Sequence, residues 1–102
     1  MTFTLLNGAK HELFEAASRY EHQRAELGNE FLDEVVQALK RLESHPRSRP
    51  RVEGSYRRCL VRRFPYALIY RSKLDVIIVV AVMHLKRRPG YWRRRAVQED
   101  QS

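Results

Sequence analysis

The residues able to do chemistry are gathered between Tyr56 and Arg95, where histidine, tyrosine and arginine alternate with apolar runs. Cutting RNA through a ribose 2′-hydroxyl needs a base, cations on the scissile phosphate and an acid for the departing oxygen. His84 stands just before Leu85-Lys86-Arg87-Arg88, and cationic neighbours favour its neutral form, as a general base requires. Arg62 and Arg87 are the candidates for holding the phosphate, with Tyr91 as a stacking or proton-donating group. Arg57, Arg58, Arg63, Lys86, Arg88, Trp92 and Arg95 extend this set into a candidate nucleic-acid-binding surface. The same residues would serve a binding surface without catalysis. His11, His22 and His45 read as solvated residues of helix surfaces or ends. With one cysteine, Cys59 in a strand pattern, and no glycine-rich phosphate loop, neither a cofactor nor a metal is expected.

Charge sharpens this reading. The net charge is +8, divided into −3 over residues 1–46 and +11 over residues 47–102. Such asymmetry points to a polyanionic partner, whether nucleic acid, ribosome or an acidic protein. Sixteen of the twenty basic residues are arginine, whose planar fork suits phosphate and carboxylate and stacks on bases. The longest apolar run, Val76 to Met83, is too short to cross a bilayer, and no basic-then-apolar leader is visible. A cytoplasmic protein with no membrane partner is expected.

The elements that must position these residues follow from periodicity. Thr2 to Leu6 alternates as a short strand with Phe3 and Leu5 on one face, which Asn7-Gly8 interrupts. From Ala9 the period becomes helical, with Leu13, Ala16, Ala17 and Tyr20 inward and Glu12, Glu15, Arg19 and Glu21 on the polar side. A second helix carries Phe31, Leu32, Val35, Val36, Leu39 and Leu42, with a tight hairpin near Leu27-Gly28 and an end at Pro46. Pro46 to Gly54 reads as an irregular connection, either an exposed loop or a segment ordered by a partner. A strand from Tyr56 reaches Arg63, and a second places Tyr66, Leu68 and Tyr70 opposite Ala67 and Ile69. Val76 to Met83, apolar on both faces, predicts a central strand covered on each side. One cover is the helical hairpin; the tail after Pro89, long arginine stems or a partner are candidates for the other. Pro89 opens a short helix through Trp92 towards Ala96, and Gln98 to Ser102 reads as a frayed tail. Residues 1–102 form one α+β domain.

This order, with Glu12-Leu13, Glu15-Ala16-Ala17, Tyr20-Glu21, Leu27-Gly28, Phe31 and Arg62-Arg63-Phe64-Pro65-Tyr66, resembles the RelE/ParE superfamily of type II toxin–antitoxin toxins. The end, Ala81-Val82, His84, Arg87-Arg88-Pro89 and Tyr91-Trp92, is similar to many of its members. The resemblance implies a β-α-α-β-β-β arrangement, a two-helix hairpin on a small, mainly antiparallel sheet, followed by a short C-terminal helix. It also implies a cognate antitoxin and a toxin–antitoxin hetero-oligomer, as in plasmid-stabilisation modules. RelE-like members cut mRNA in the ribosome and so inhibit translation; ParE-like members poison DNA gyrase without catalysis. Ribonuclease members place an arginine in an R-L-x-Y strand motif, where this chain has Ala67-Leu68-Ile69-Tyr70. The first expectation is a ribosome-dependent mRNA endoribonuclease. The alternatives are a gyrase inhibitor and a non-toxic RNA-binding module.

Overall fold

The computed structural model describes residues 2–101, and the side chains of residues 2–98. The chain runs β1 (Thr2–Leu5), α1 (Asn7–Gln23), α2 (Leu27–Ser44), β2 (Arg51–Glu53), β3 (Tyr56–Leu60), β4 (Tyr66–Lys73), β5 (Val76–His84) and α3 (Arg93–Gln101). The sheet order is β1-β5-β4-β3-β2. β1 is parallel to β5 and the other pairings are antiparallel. This is the expected α+β arrangement with one strand more. Among the described residues no helix is long and apolar enough to cross a membrane.

The helical hairpin turns at Arg24–Glu26, slightly before the expected Leu27-Gly28. Glu26 takes a left-handed φ of 73°, and the Glu21 carboxylate accepts the Glu26 and Gly28 N–H groups, both at 3.0 Å. These N–H groups would otherwise lack partners at the start of α2. Gly28 therefore belongs to the first turn of α2 and is needed for close approach: a Cβ there would lie 2.6 Å from the Ala17 carbonyl oxygen. The first strand does end before Asn7-Gly8, and these two residues already belong to α1, which starts before the expected Ala9.

One sheet face packs on α1 and α2. Phe31, Val35, Ala38 and Leu42 meet Cys59, Leu68, Tyr70, Ile77, Val79 and Val82 there. Phe31 lies at the centre of an aromatic cluster, its ring centroid 5.4 Å from Tyr20, 5.2 Å from Phe64 and 5.1 Å from Tyr66. Val36, placed on the apolar stripe by its spacing, is 46% exposed; Ala38 takes the buried position.

The second face answers what covers a strand that is apolar on both sides. Trp92 and Ala96 fold across Tyr56, Ala67, Ile69, Val80, Ala81 and Met83. The strand beneath is not the middle of the sheet, which is β4, but its neighbour β5. A register shift places Ile69 opposite Ala81 but Tyr70 opposite Val79, so Val80 is an extra residue, a β-bulge. The bulge turns consecutive Val80 and Ala81 towards the same cluster.

Three boundaries differ from the sequence expectation. Arg51–Glu53 is a strand inside the expected loop, because β3 offers it a free edge. β3 stops at Leu60, and Arg62 and Arg63 lie in a turn, with Arg63 at φ 72°. α3 starts at Arg93, after a turn in which Gly90 has φ 78°, and continues past the expected irregular Gln98. Ser102 lies outside the described residues.

Tyr70 is fully buried, and its hydroxyl donates to the Pro46 carbonyl at 2.7 Å. Burial, with Cys59 adding to it, pushes this phenol up to about 12. Tyr20 and Tyr91 are also raised, each mainly by burial. A folded-state value above the unfolded one means the native state holds its proton longer. The stabilisation is complete below the unfolded value of about 10 and is lost as pH rises from there through about 12. Tyrosinate absorbance should therefore show late-ionising phenols that titrate together with loss of far-ultraviolet circular dichroism. All five tyrosines ionising near pH 10 (about the free value) with the fold intact would contradict this assignment.

Candidate functional site

The end of β5, the start of α1 and the segment after His84 meet around a cavity of about 250 Å³ lined by Glu12, Glu15, Arg19, Tyr66, His84 and Arg87. Glu12, Glu15 and Arg19 reach it because i, i+3 and i+7 fall on one side of a helix. Arg19 donates to the Tyr66 hydroxyl at 2.6 Å and to Glu15 at 3.0 Å. The His84 ring stands edge-on to Tyr66, with centroids 5.0 Å apart. Its Nδ1 accepts the Lys86 backbone N–H at 3.0 Å, which in the neutral ring leaves the proton on Nε2.

Tyr91 and Arg95 are tied to Glu12. The Tyr91 hydroxyl donates to Oε2 at 2.6 Å, and Arg95 grips both carboxylate oxygens at 2.8 and 3.2 Å. Burial and then the bond to Glu12 push the Tyr91 phenol well above its ordinary value. The Glu12 hydrogen bond holds the Arg95 guanidinium firmly charged. The Arg87 guanidinium lies 3.9 Å from the Tyr91 ring centroid and covers one face of it. Glu12, expected on the solvated side of its helix, is thus the hub of a half-buried cluster.

The reason lies in the sheet. β1 pairs with β5 only through Val79, and Leu6 N–H makes the last bond, to Val79 O. Beyond it, the Val82 N–H donates to Glu12 at 3.1 Å and the Val80 carbonyl accepts from Arg95 at 3.3 Å. An ion pair therefore takes the place of the missing strand on that edge.

The structure brings together His84, Arg87 and Tyr91 but not Arg62. Arg62 lines a separate pocket of about 320 Å³ with Arg41, Arg49, Pro50, Arg58 and Leu60. Arg57 donates to the Arg49 carbonyl at 2.8 Å. Arg63 is paired with Glu30 at 2.7 Å and Glu34 at 3.7 Å. Arg63 and Arg24 hold the Glu30 carboxyl below its ordinary value. Trp92 is buried against Tyr56, their centroids 5.2 Å apart. Lys86, Arg87, Arg88 and Arg58 remain exposed cations. Arg19, Glu12 and Glu15 are not among the candidate site residues that the sequence offers; their common helix face is the signal for them. Among the described residues no group of three or more His, Cys, Asp or Glu could hold a metal ion.

A helical hairpin on one face of a five-stranded sheet, with a C-terminal helix across the other, defines the scaffold of RelE/ParE superfamily toxins. The family model for the ParE toxin of the type II toxin-antitoxin system, parDE, matches residues 4–89, and the chain belongs to that family. Among solved structures it is similar to a chain of a chromosomal ParDE toxin–antitoxin system from P. aeruginosa, with a TM-score of 0.71 and 18% identity. That match covers 82% of this chain and 95% of the other. No curated protein sequence matches.

Proposed function

We propose that this toxin acts by binding its target, DNA gyrase, and not by cutting mRNA. His84 carries the argument. A general base needs a free lone pair, but Nδ1 is engaged by the Lys86 N–H, so the neutral ring has a proton on Nε2. Two further features support the reading. The Tyr91 hydroxyl is committed to Glu12 and raised, which ill suits an acid; Ala67, where ribonuclease members carry arginine, is fully buried. The exposed Lys86, Arg87 and Arg88 would then form part of the surface that meets the target. The cognate antitoxin is its cytoplasmic partner.

The ribonuclease reading retains one observation in its favour, the convergence of Arg19, His84 and Arg87 on a single cavity. Two assays on purified protein separate the readings: gyrase supercoiling, and primer extension on mRNA in translating ribosomes. Supercoiling should fall while the mRNA stays intact, and His84→Ala should remain toxic in cells. Cleavage ends that require ribosomes and vanish in His84→Ala would overturn the proposal.

A further inference from the structure

The connection between α2 and β2 has no periodicity, yet three hydrogen bonds fix it to the sheet. Its Pro46 carbonyl accepts from the buried Tyr70 hydroxyl at 2.7 Å, its Arg49 carbonyl from the Arg57 guanidinium at 2.8 Å, and its Pro50 carbonyl from the Arg58 N–H at 3.1 Å. Arg49 is thereby brought to Arg41 near the end of α2, Arg58 on β3 and Arg62 in the turn that follows. The four line one pocket of about 320 Å³ with Pro50 and Leu60. Arg41 is oriented by the Leu60 carbonyl, to which it donates at 3.2 Å. None of the four has a carboxylate partner among the described residues, whereas Arg19, Arg24, Arg63, Arg93 and Arg95 each do. The Arg49 Nε is buried without an acceptor. A buried, unsatisfied guanidinium N–H is costly, and it marks a place where an acceptor from outside the chain would be stabilising.

The lining says what kind of acceptor fits. Four guanidinium groups with no acid among them call for a ligand carrying several negative charges. No aromatic ring lines the pocket, whereas single-stranded nucleic acid is held by stacking its bases on aromatic faces. The apolar lining is only Pro50 and Leu60, which gives a bound peptide no row of side-chain sites. A duplex turns its phosphates outward and asks of its partner chiefly cations and N–H donors, and the arginine fork matches phosphate oxygens two at a time. The anchored connection holds Arg49 in place before any ligand arrives, which lowers the ordering cost of binding. We propose that this pocket grips the phosphate backbone of duplex DNA. This rests on the gyrase reading for the source of that DNA, the segment the enzyme holds. The toxin then meets the enzyme through Lys86, Arg87 and Arg88 and the DNA through the pocket.

The full chain should be titrated into a fluorescently labelled DNA duplex of about 20 base pairs, two helical turns, with anisotropy followed at several salt concentrations. The double variant Arg49→Gln, Arg62→Gln should weaken binding by at least about tenfold near 0.1 M salt. Its plot of log affinity against log salt should also be shallower by about two, one for each phosphate contact removed. Arg49→Lys, Arg62→Lys, which keeps the charge, should restore the slope and so separates lost charge from lost fold. Lys86→Gln, Arg88→Gln removes as much charge elsewhere and should leave the slope as it is. Equal losses from the two glutamine pairs, or a slope that the pocket pair does not alter, would overturn the proposal, because binding would then follow net charge alone. Displacement of the duplex by polyglutamate or by single-stranded RNA at a lower concentration of charge would overturn it in favour of an acidic protein or of RNA. The parent's effect on gyrase supercoiling is read separately. DNA binding through the pocket without inhibition removes the gyrase reading and leaves the site standing; inhibition without DNA binding does the reverse.

Discussion

Glu12→Ala should lower the unfolding free energy by about 3 kcal/mol, the low end for breaking a buried ion pair because Arg95 keeps some contact with water. The side chains of Glu12 and Arg95 are 13 and 28% exposed. Removing the carboxylate leaves the Arg95 guanidinium, the Tyr91 hydroxyl and the Val82 N–H without their acceptor at once. The damage should be local before it is global. α3 is held over the sheet partly through Arg95, so Trp92 should lose its buried environment at lower denaturant than the α1–α2 core melts. Denaturation followed by both tryptophan emission and far-ultraviolet circular dichroism checks this. Arg95→Met, which fills the volume without the charge, should leave Glu12 uncompensated and also destabilise. The double variant Glu12→Gln, Arg95→Met should recover part of the loss, because no unpaired charge then remains. Additive effects of the two single changes would refute the coupling.

Phe31→Ala should cost more, about 3–5 kcal/mol, a large share of the stability of a domain this size. Phe31 has no exposed surface and contacts three aromatic rings contributed by α1, β4 and the Phe64 turn. Truncation opens a cavity that those rings cannot close, because Tyr66 is fixed by Arg19 and Tyr20 sits on the other helix. Phe31→Leu should recover roughly half of the loss by refilling volume without the edge-on ring contacts. A urea midpoint in Phe31→Ala close to the parent's would show that this cluster does not hold the hairpin to the sheet.

The two predictions mark what sequence could and could not disclose. Phe31 was legible: it opens an apolar stripe at helical spacing, and any helix so patterned must turn that stripe inward. The alternation of Tyr66, Leu68 and Tyr70 against Ala67 and Ile69 was equally legible, and the two sets do occupy opposite faces. The α+β class and the toxin family followed from these local periods together with the residues that carry the resemblance.

Glu12 was not legible. Its neighbours made it one more carboxylate on the polar side of a helix, and only the tertiary structure puts that side against a strand edge that β1 stops short of covering. Arg95 and Tyr91, some eighty residues on, meet the same carboxylate. Arg62 shows the converse. Its place four residues before Tyr66 grouped it with His84 in the sequence, yet in the turn after Leu60 it lines a separate pocket beside β3 with Arg41, Arg49 and Arg58. Sequence periodicity determines which face of an element is apolar, because that depends on residues a few positions apart. Which arginines remain free to meet a partner depends on where carboxylates distant in the chain come to rest. Only the fold decides that.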